Sequence, residues 1–314
     1  MANPSEKPLL SLVIPLYREA SHFASSLREI VAVLESIPVD FEIVLVDDGS
    51  PDETWSVIQQ QCIEFPQVKA ARLSRNFGKE AALAAGLEHV SGDAVVVMDG
   101  DLQHPPSLIV EMLKHWQEGA EVIEAVKQQR AKESLAGRLS SRLFYSVFSR
   151  LTGFDLRGAS DFKLMDRKVI NAWRRMGERN LFFRGMNAWL GFKRVQVQYN
   201  VDDRVDGQSG WSVIQLVRLA VTAVASFSSI PLYFLIFAGF GFSVFALVLG
   251  VQTLIRKIDG YAIDGFTTVI LLLLIIGSGM MFGLGLIGIY IARIYEEVKK
   301  RPRYIIAEWV GDAR

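Results

Sequence analysis

The chain of 314 residues holds a single cysteine, Cys62, which excludes an internal disulfide framework and a cysteine-rich zinc site. An excess of charge is missing as well. With 34 basic residues against 34 acidic ones, the balance excludes a general nucleic-acid binder. The N-terminal residues lack the basic n-region and long apolar core of a secretory signal, so the first domain is expected to stay in the cytoplasm. The neutral total hides an asymmetry. Charged residues fill the first two-thirds, whereas the final third is apolar, and the hydrophobic share of 50% raises the question of a membrane.

Two runs answer it. Residues 230–255 and 265–292 are uncharged over 26 and 28 positions, each longer than the ~20 residues that span a bilayer. They read as a two-helix transmembrane hairpin. Arg293, Lys299, Lys300, Arg301 and Arg303 crowd the exit, against Arg256 and Lys257 in the connecting loop. The positive-inside bias therefore puts both termini and the N-terminal domain in the cytoplasm, in a multi-pass protein of the cell (inner) membrane. Gly283-Leu-Gly285-Leu-Ile-Gly288 spells a dinucleotide fingerprint, but it lies inside the second run rather than between a strand and a helix. Gly279 and Gly283 fit close packing of membrane helices instead.

The first 210 residues alternate strand and helix patterns. Leu10–Pro15, Phe41–Val46, Val68–Leu73, Ala94–Met98 and Ala120–Val126 read as strands. Ser21–Ser36, Glu53–Phe65, Lys79–His89 and the stretch from Pro106 to Glu118 read as helices. Such alternation implies an α/β domain with a doubly wound, mainly parallel sheet. Pro15 is expected to close the first strand, because it cannot donate to a ladder. Two segments, 134–151 and 211–229, carry apolar residues at helical spacing with arginines on other faces. They read as interface helices lying on a membrane, with packing onto the domain's own core as the alternative for the first. Residues 293–314 are left as a cytoplasmic tail.

The candidate chemistry lies at strand ends, where open α/β sheets place their ligands. Val95-Val96-Val97-Met98 runs into Asp99-Gly-Asp-Leu-Gln103, so Asp99 and Asp101 can turn toward one hard cation, Mg²⁺ or Mn²⁺, that would hold a diphosphate. An acidic turn closing a strand is the plain alternative. Asp47-Asp48-Gly49-Ser50-Pro51-Asp52 is rich in oxygen acceptors; Ser50 or Asp52 can cap the helix that follows, which leaves Asp47 and Asp48 for a ligand.

Taken in order, Val13-Ile-Pro15-Leu-Tyr17-Arg-Glu19, Val46-Asp-Asp-Gly-Ser50, Leu73-Ser-Arg-Asn-Phe-Gly-Lys79, Asp99-Gly-Asp-Leu-Gln103, Ser160-Asp-Phe-Lys-Leu-Met-Asp166, Glu178-Arg-Asn180, the segment around Arg204 and Ile294-Tyr-Glu-Glu-Val-Lys299 resemble the inverting glycosyltransferase family 2. Within it the chain resembles the membrane-anchored polyprenyl-phosphate glycosyltransferases: bactoprenol glucosyltransferases of the prophage type, with dolichol-phosphate mannose synthases as relatives. The resemblance implies a GT-A type nucleotide-sugar fold and inverting transfer of a sugar, UDP-glucose-like, to a polyprenyl phosphate on the cytoplasmic face. It implies that Pro15, Tyr17, Glu19, Asp47, Asp48 and Asp99 bind the nucleotide sugar, and that Asp99, Asp101 and Gln103 bind the metal. Asp161 and Asp101 would be catalytic, while Lys127, Arg130 and Arg204 would take the acceptor phosphate. For Tyr17 a packing role, and for Asp161 a helix-capping role, remain open beside these. Arg75 and Lys79 match the family with no mechanical role attached. Partners implied are the donor, the lipid phosphate, the bilayer and further copies in a homotetramer; no nucleic acid is expected.

The chain departs from the family at three places. Lys127 and Gln128 stand where arginine is usual, Gly210 where a lysine is usual, and His104 where an aspartate usually follows the metal motif. Two other readings compete. A processive polysaccharide synthase would carry a Gln-x-x-Arg-Trp string, which this sequence lacks. A catalytically inactive nucleotide-sugar-binding scaffold would not need intact Asp99, Asp101, Gln103 and Asp161.

Overall fold

The computed structural model describes residues 7–127, 149–150, 160–178, 183–199, 230–259 and 265–311, without the side chains of residues 127, 253, 254, 257, 266–268, 270 and 271. The chain divides into two compact units. One comprises residues 1–149, 154–210 and 301–314; the other comprises 150–153 and 211–300.

The first unit is built on an eight-stranded sheet. The elements are β1 (Leu9–Leu16), α1 (Phe23–Glu35), β2 (Asp40–Asp47), α2 (Thr54–Glu64), β3 (Val68–Leu73), α3 (Lys79–Glu88), β4 (Ala94–Val97), α4 (Leu108–Gln117), β5 (Val122–Lys127), β6 (Lys163–Asp166), α5 (Arg167–Arg174), α6 (Phe183–Trp189), β7 (Arg194–Tyr199) and β8 (Ile306–Val310). The spatial order is β7-β5-β6-β4-β1-β2-β3-β8. β4, β1, β2 and β3 are mutually parallel, as βαβ crossovers require. Their apolar runs are buried on both faces: Leu12, Ile14, Ile43, Leu45, Val95 and Val96 are each 0% exposed.

Around this parallel centre the sheet is mixed: on one side β6 runs antiparallel to both β4 and β5, and at the opposite edge β8 runs antiparallel to β3. β6 escaped the sequence pattern for a physical reason. It is short and carries Lys163 at a fully buried position, where the ammonium meets Glu124 on β5 at 3.0 Å. A buried charge that is paired can occupy a place that a hydrophobic pattern assigns to an apolar residue. β8 lies within the segment expected as a cytoplasmic tail; its five residues follow a basic run and pair with the edge of β3. Pro15 does not close β1, which continues to Leu16 opposite Asp47. β4 pairs only as far as Val13, so the proline stands where that neighbour's ladder has already ended.

The second unit contains α7 (Ile230–Ile258) and α8 (Phe266–Val298). Both contain spans long and apolar enough to cross a membrane, with 29 residues giving α7 a length of about 43 Å at ~1.5 Å per residue. Their large side chains face outward, Phe237 at 73% and Met281 at 70% exposure, a surface that calls for an apolar solvent. Gly279 and Gly283 face Phe242 and Leu235 of α7, where an added Cβ would lie 3.9 and 3.6 Å away in ordinary contact, so the approach does not itself demand glycine. The interface segment 211–229, and 134–151 apart from residues 149–150, lie outside the described residues.

Candidate active site

At the C-terminal ends of the parallel strands two loops are tied together by main-chain donors. β2 ends on Asp47, which is fully buried and accepts from the Ser50 N–H at 3.1 Å. The Arg72 Nε lies 3.5 Å from its other oxygen. Asp48 accepts from the N–H groups of Phe77 and Gly78, at 2.7 and 2.8 Å. Burial pushes both carboxyls above the usual range, against these hydrogen bonds. Gly49 sits at φ +64°, and a Cβ there would lie 2.4 Å from the Arg75 carbonyl carbon. Only glycine permits that approach.

The loop after β1 joins the same construction. The Arg18 N–H donates to Ser50 Oγ at 3.0 Å and the Glu19 N–H to Thr54 Oγ1 at 2.9 Å. Ser50 is thereby spent on this bridge, and it is Asp52 that accepts from the Thr54 N–H and hydroxyl at the start of α2. Tyr17 is 39% exposed, and the Arg18 guanidinium lies over its ring at 5.2 Å from the centroid. Glu19 contacts His22. Burial raises its carboxyl, and the charges of Asp101 and Asp99 push the same way.

The other half of the site forms after β4. Gly100 separates the two aspartates because a Cβ there would lie 2.6 Å from the Leu16 side chain at the end of β1. Asp101 is exposed and accepts from the Gln103 N–H at 3.1 Å; Gln103 is exposed too. His104 is half-buried and partnered. Its Nδ1 contacts the Tyr199 hydroxyl, its ring tilts against Phe162 at 5.2 Å, and burial pushes its pKa down.

Asp161, just before β6, is held by Arg184 of α6 through a two-pronged contact: Nε to Oδ1 at 2.7 Å and Nη2 to Oδ2 at 2.8 Å. Lys79, the first residue of α3, bridges the two halves of the acidic cluster. Its Nζ lies 2.6 Å from Asp99 Oδ1 and 3.2 Å from Asp161 Oδ2. Burial alone would raise the Asp161 carboxyl, but Arg184, with Lys79 beside it, holds it well below the usual carboxylate range. Such a carboxylate is a poor proton acceptor and a good anchor for cations. Neighbouring Glu80 accepts from the Phe183 N–H at 2.7 Å, fixing the start of α6, and burial raises its carboxyl to about 7.

Lys79 acquires a position that the sequence motif did not explain, and Arg184 and Glu80 were not singled out at all. Nothing local marks them: only the folded chain brings Arg184 to Asp161 and Glu80 to the Phe183 N–H. Of the acceptor candidates, Lys127 ends β5 opposite Tyr199, whereas Arg130 and Arg204 lie outside the described residues.

The donor set fits a divalent cation in part. Asp99 and Asp101 offer the carboxylate oxygens that Mg²⁺ and Mn²⁺ prefer. Among the described residues no group of three or more His, Cys, Asp or Glu side chains converges on one point. One or two carboxylates completed by phosphate oxygens and water is how Mg²⁺ is usually held in phosphate-binding sites.

Residues 11–177 match the family described as Glycosyl transferase family 2. The chain is 35% identical over 304 residues to an uncharacterized glycosyltransferase of Synechocystis sp., covering 96% of each chain. It is 34% identical over 299 residues to the SfII prophage-derived bactoprenol glucosyl transferase of Shigella flexneri, covering 95% of this chain and 97% of that one. Among solved structures, mannosyl-3-phosphoglycerate synthase from Rubrobacter xylanophilus superposes with a TM-score of 0.51 at 18% identity, over 70% of this chain and 73% of that one. That likeness speaks to the fold, a GT-A-like α/β architecture.

Proposed function

This chain belongs to glycosyltransferase family 2, and from that premise we propose that it transfers a sugar, most simply glucose from UDP-glucose, to a membrane polyprenyl phosphate with inversion at the anomeric carbon. The observation that carries the reading is the convergence of Asp99 and Asp161 on one ammonium, Lys79, at the C-terminal strand ends, in a chain that also carries two apolar helices. The near full-length relative named for bactoprenol glucosyl transfer supports the choice of acceptor.

In this reading Tyr17, Glu19, Asp47 and Asp48 receive the nucleoside, and Pro15 shapes the end of β1. Asp99, Asp101 and Gln103 hold the divalent cation, which when bound neutralises charge on the departing diphosphate. An oxygen of the acceptor phosphate attacks the anomeric carbon; its bond to the diphosphate breaks, and the electron pair leaves with the nucleoside diphosphate. The nucleophile is already anionic, so no strong base is required, and orientation carries much of the rate. Asp161 serves by holding Arg184 and Lys79 beside the reacting groups. Lys127, Arg130 and Arg204 are assigned to the acceptor phosphate.

The hairpin crosses the inner membrane twice and returns to the cytoplasmic face. Support comes from the positive residues at its exit and from residues 301–314, which fold with the domain that precedes the hairpin. The test is incorporation of sugar from UDP- and GDP-sugars into polyprenyl phosphate by membranes containing the full chain. One sugar per lipid, lost on chelation and in Asp101→Ala, is expected. A ladder of products would instead favour a polymer synthase, and metal-independent transfer unchanged in Asp101→Ala would remove the metal site.

A further inference from the structure

We propose that Lys79 is the resident counter-ion of Asp99 and Asp161 and that it makes metal binding at Asp99 conditional on the nucleotide sugar. The inference rests on the donor reading above and adds an order to it: the metal is held only with the nucleotide.

The argument starts from occupancy. Lys79 Nζ lies 2.6 Å from Asp99 Oδ1, which is the place a cation ligated by that oxygen would have to enter. An ammonium and a divalent ion repel strongly at such separations, so one must yield. Asp161 does not need Lys79 to stay satisfied, because Arg184 already binds both of its oxygens. Asp99 has no such second cation among the described residues. Lys79 therefore bridges one carboxylate that depends on it and one that does not.

The backbone of Lys79 is fixed, while its side chain is held by ion pairs alone. Asp48 holds the N–H groups of Phe77 and Gly78, immediately before α3, so the backbone of Lys79 is tied to the nucleotide-binding loop. Its side chain is 43% exposed and can swing. The anion able to draw it off Asp99 is the donor's diphosphate, which also supplies the oxygens that the protein's own donor set lacks.

The test is Mn²⁺ binding to the detergent-solubilised full chain, read from the loss of the free-ion EPR signal, with and without UDP or GDP. Wild-type protein is expected to bind Mn²⁺ weakly alone and about tenfold or more tightly with the nucleotide, within the usual range of coupling. Lys79→Met is expected to bind Mn²⁺ about tenfold more tightly without nucleotide and to lose most of the nucleotide's effect. Arg184→Gln removes the same charge without touching Asp99 and is expected to shift nucleotide-free binding far less. Lys79→Gln, checked by its melting temperature, repeats the test if the methionine variant folds poorly.

Equal nucleotide-free affinity in wild type and both Lys79 variants would overturn the role of Lys79 while leaving the donor site standing, provided the nucleotide still tightens Mn²⁺. Equal gains from Lys79→Met and Arg184→Gln would reduce it to a general charge effect and overturn it as well. Absence of any Mn²⁺ binding, with or without nucleotide, would overturn both the inference and the metal reading beneath it.

Discussion

The two halves of the site satisfy their carboxylates by different means. In the half proposed to receive the nucleotide, Asp47 and Asp48 are nearly inaccessible and accept from the main-chain N–H groups of Ser50, Phe77 and Gly78. In the half proposed to hold the reacting groups, Asp99 and Asp161 accept from the side chains of Lys79 and Arg184, each more than 40% exposed. Main-chain donors cannot leave without refolding a loop, whereas an ammonium on a flexible stem can change partners. The first half is thus a preformed receptacle, and the second is an exchangeable set of charges. The electrostatics follow the same division: burial raises Asp47 and Asp48, while Arg184 and Lys79 overcome burial to depress Asp161.

The largest expected effect comes from breaking the reacting half alone. Asp161→Asn keeps the shape but removes the charge that holds Arg184 and Lys79. Transfer should fall about 10²–10³-fold, roughly 3–4 kcal/mol, the scale seen when a preorganised charge or donor is removed. Affinity for the nucleoside diphosphate, measured by calorimetry, should change only a few-fold. A loss of affinity as steep as the loss of turnover would mean that the two halves are one structure.

Paired glycine substitutions sharpen the contrast. Gly49→Ala places a methyl group 2.4 Å from the Arg75 backbone at φ +64°, and backbone cannot withdraw as a side-chain tip can. About 2–3 kcal/mol of stability should be lost, read as a melting temperature lower by roughly 5–10 °C. Gly100→Ala meets the end of the Leu16 side chain at 2.6 Å and should cost about 1 kcal/mol after the leucine shifts. Equal losses at both sites would remove the claim that only the nucleotide half is backed by main chain.

The same division explains what the sequence made legible. Val95 to Gln103, the Asp47–Asp48 turn and the parallel strands around them are contiguous stretches whose patterns state their structure. Asp161 was visible through its motif. Its partner Arg184 was not, and neither was Glu80 at the start of α6, since only the tertiary fold brings Arg184 to Asp161 and Glu80 to the Phe183 N–H; Lys79 showed in a motif without a task. β6 was hidden by the buried Lys163–Glu124 pair, and β8 by its distance: it pairs with β3 across the whole hairpin. His104, a departure from the family pattern, is drawn to Tyr199 and Phe162, contacts that no local spacing announces.

β8 provides a gentler probe of the nucleotide half. Glu308 accepts from Trp55 Nε1 and Arg72 Nη1, each at 3.0 Å, and Arg72 reaches back toward Asp47 and the Ser50 carbonyl. Arg72 is 33% and Glu308 47% exposed, so solvent screens the pair and its worth is at most about 1 kcal/mol. Glu308→Ala should raise the donor KM by about two- to fivefold and leave kcat unchanged. A fall in kcat instead would show the tail strand acting on the reacting half.

The smallest effect concerns pH and tests how α6 is held. Glu80, raised to about 7 by burial, binds a proton in the folded protein that an ordinary glutamate has already lost. Between about pH 4.5 and 7 the folded state therefore holds more protons than the unfolded one, and stability from this group falls as pH rises through that window. Glu80→Gln keeps an acceptor for the Phe183 N–H and removes the proton. The difference in melting temperature, variant minus wild type, should grow by a few degrees from pH 5 to pH 7.5 and be flat above it; subtraction cancels groups common to both proteins. Parallel curves would mean that Glu80 titrates as a surface carboxyl, leaving the Asp161–Arg184 contact to fix the start of α6 without it.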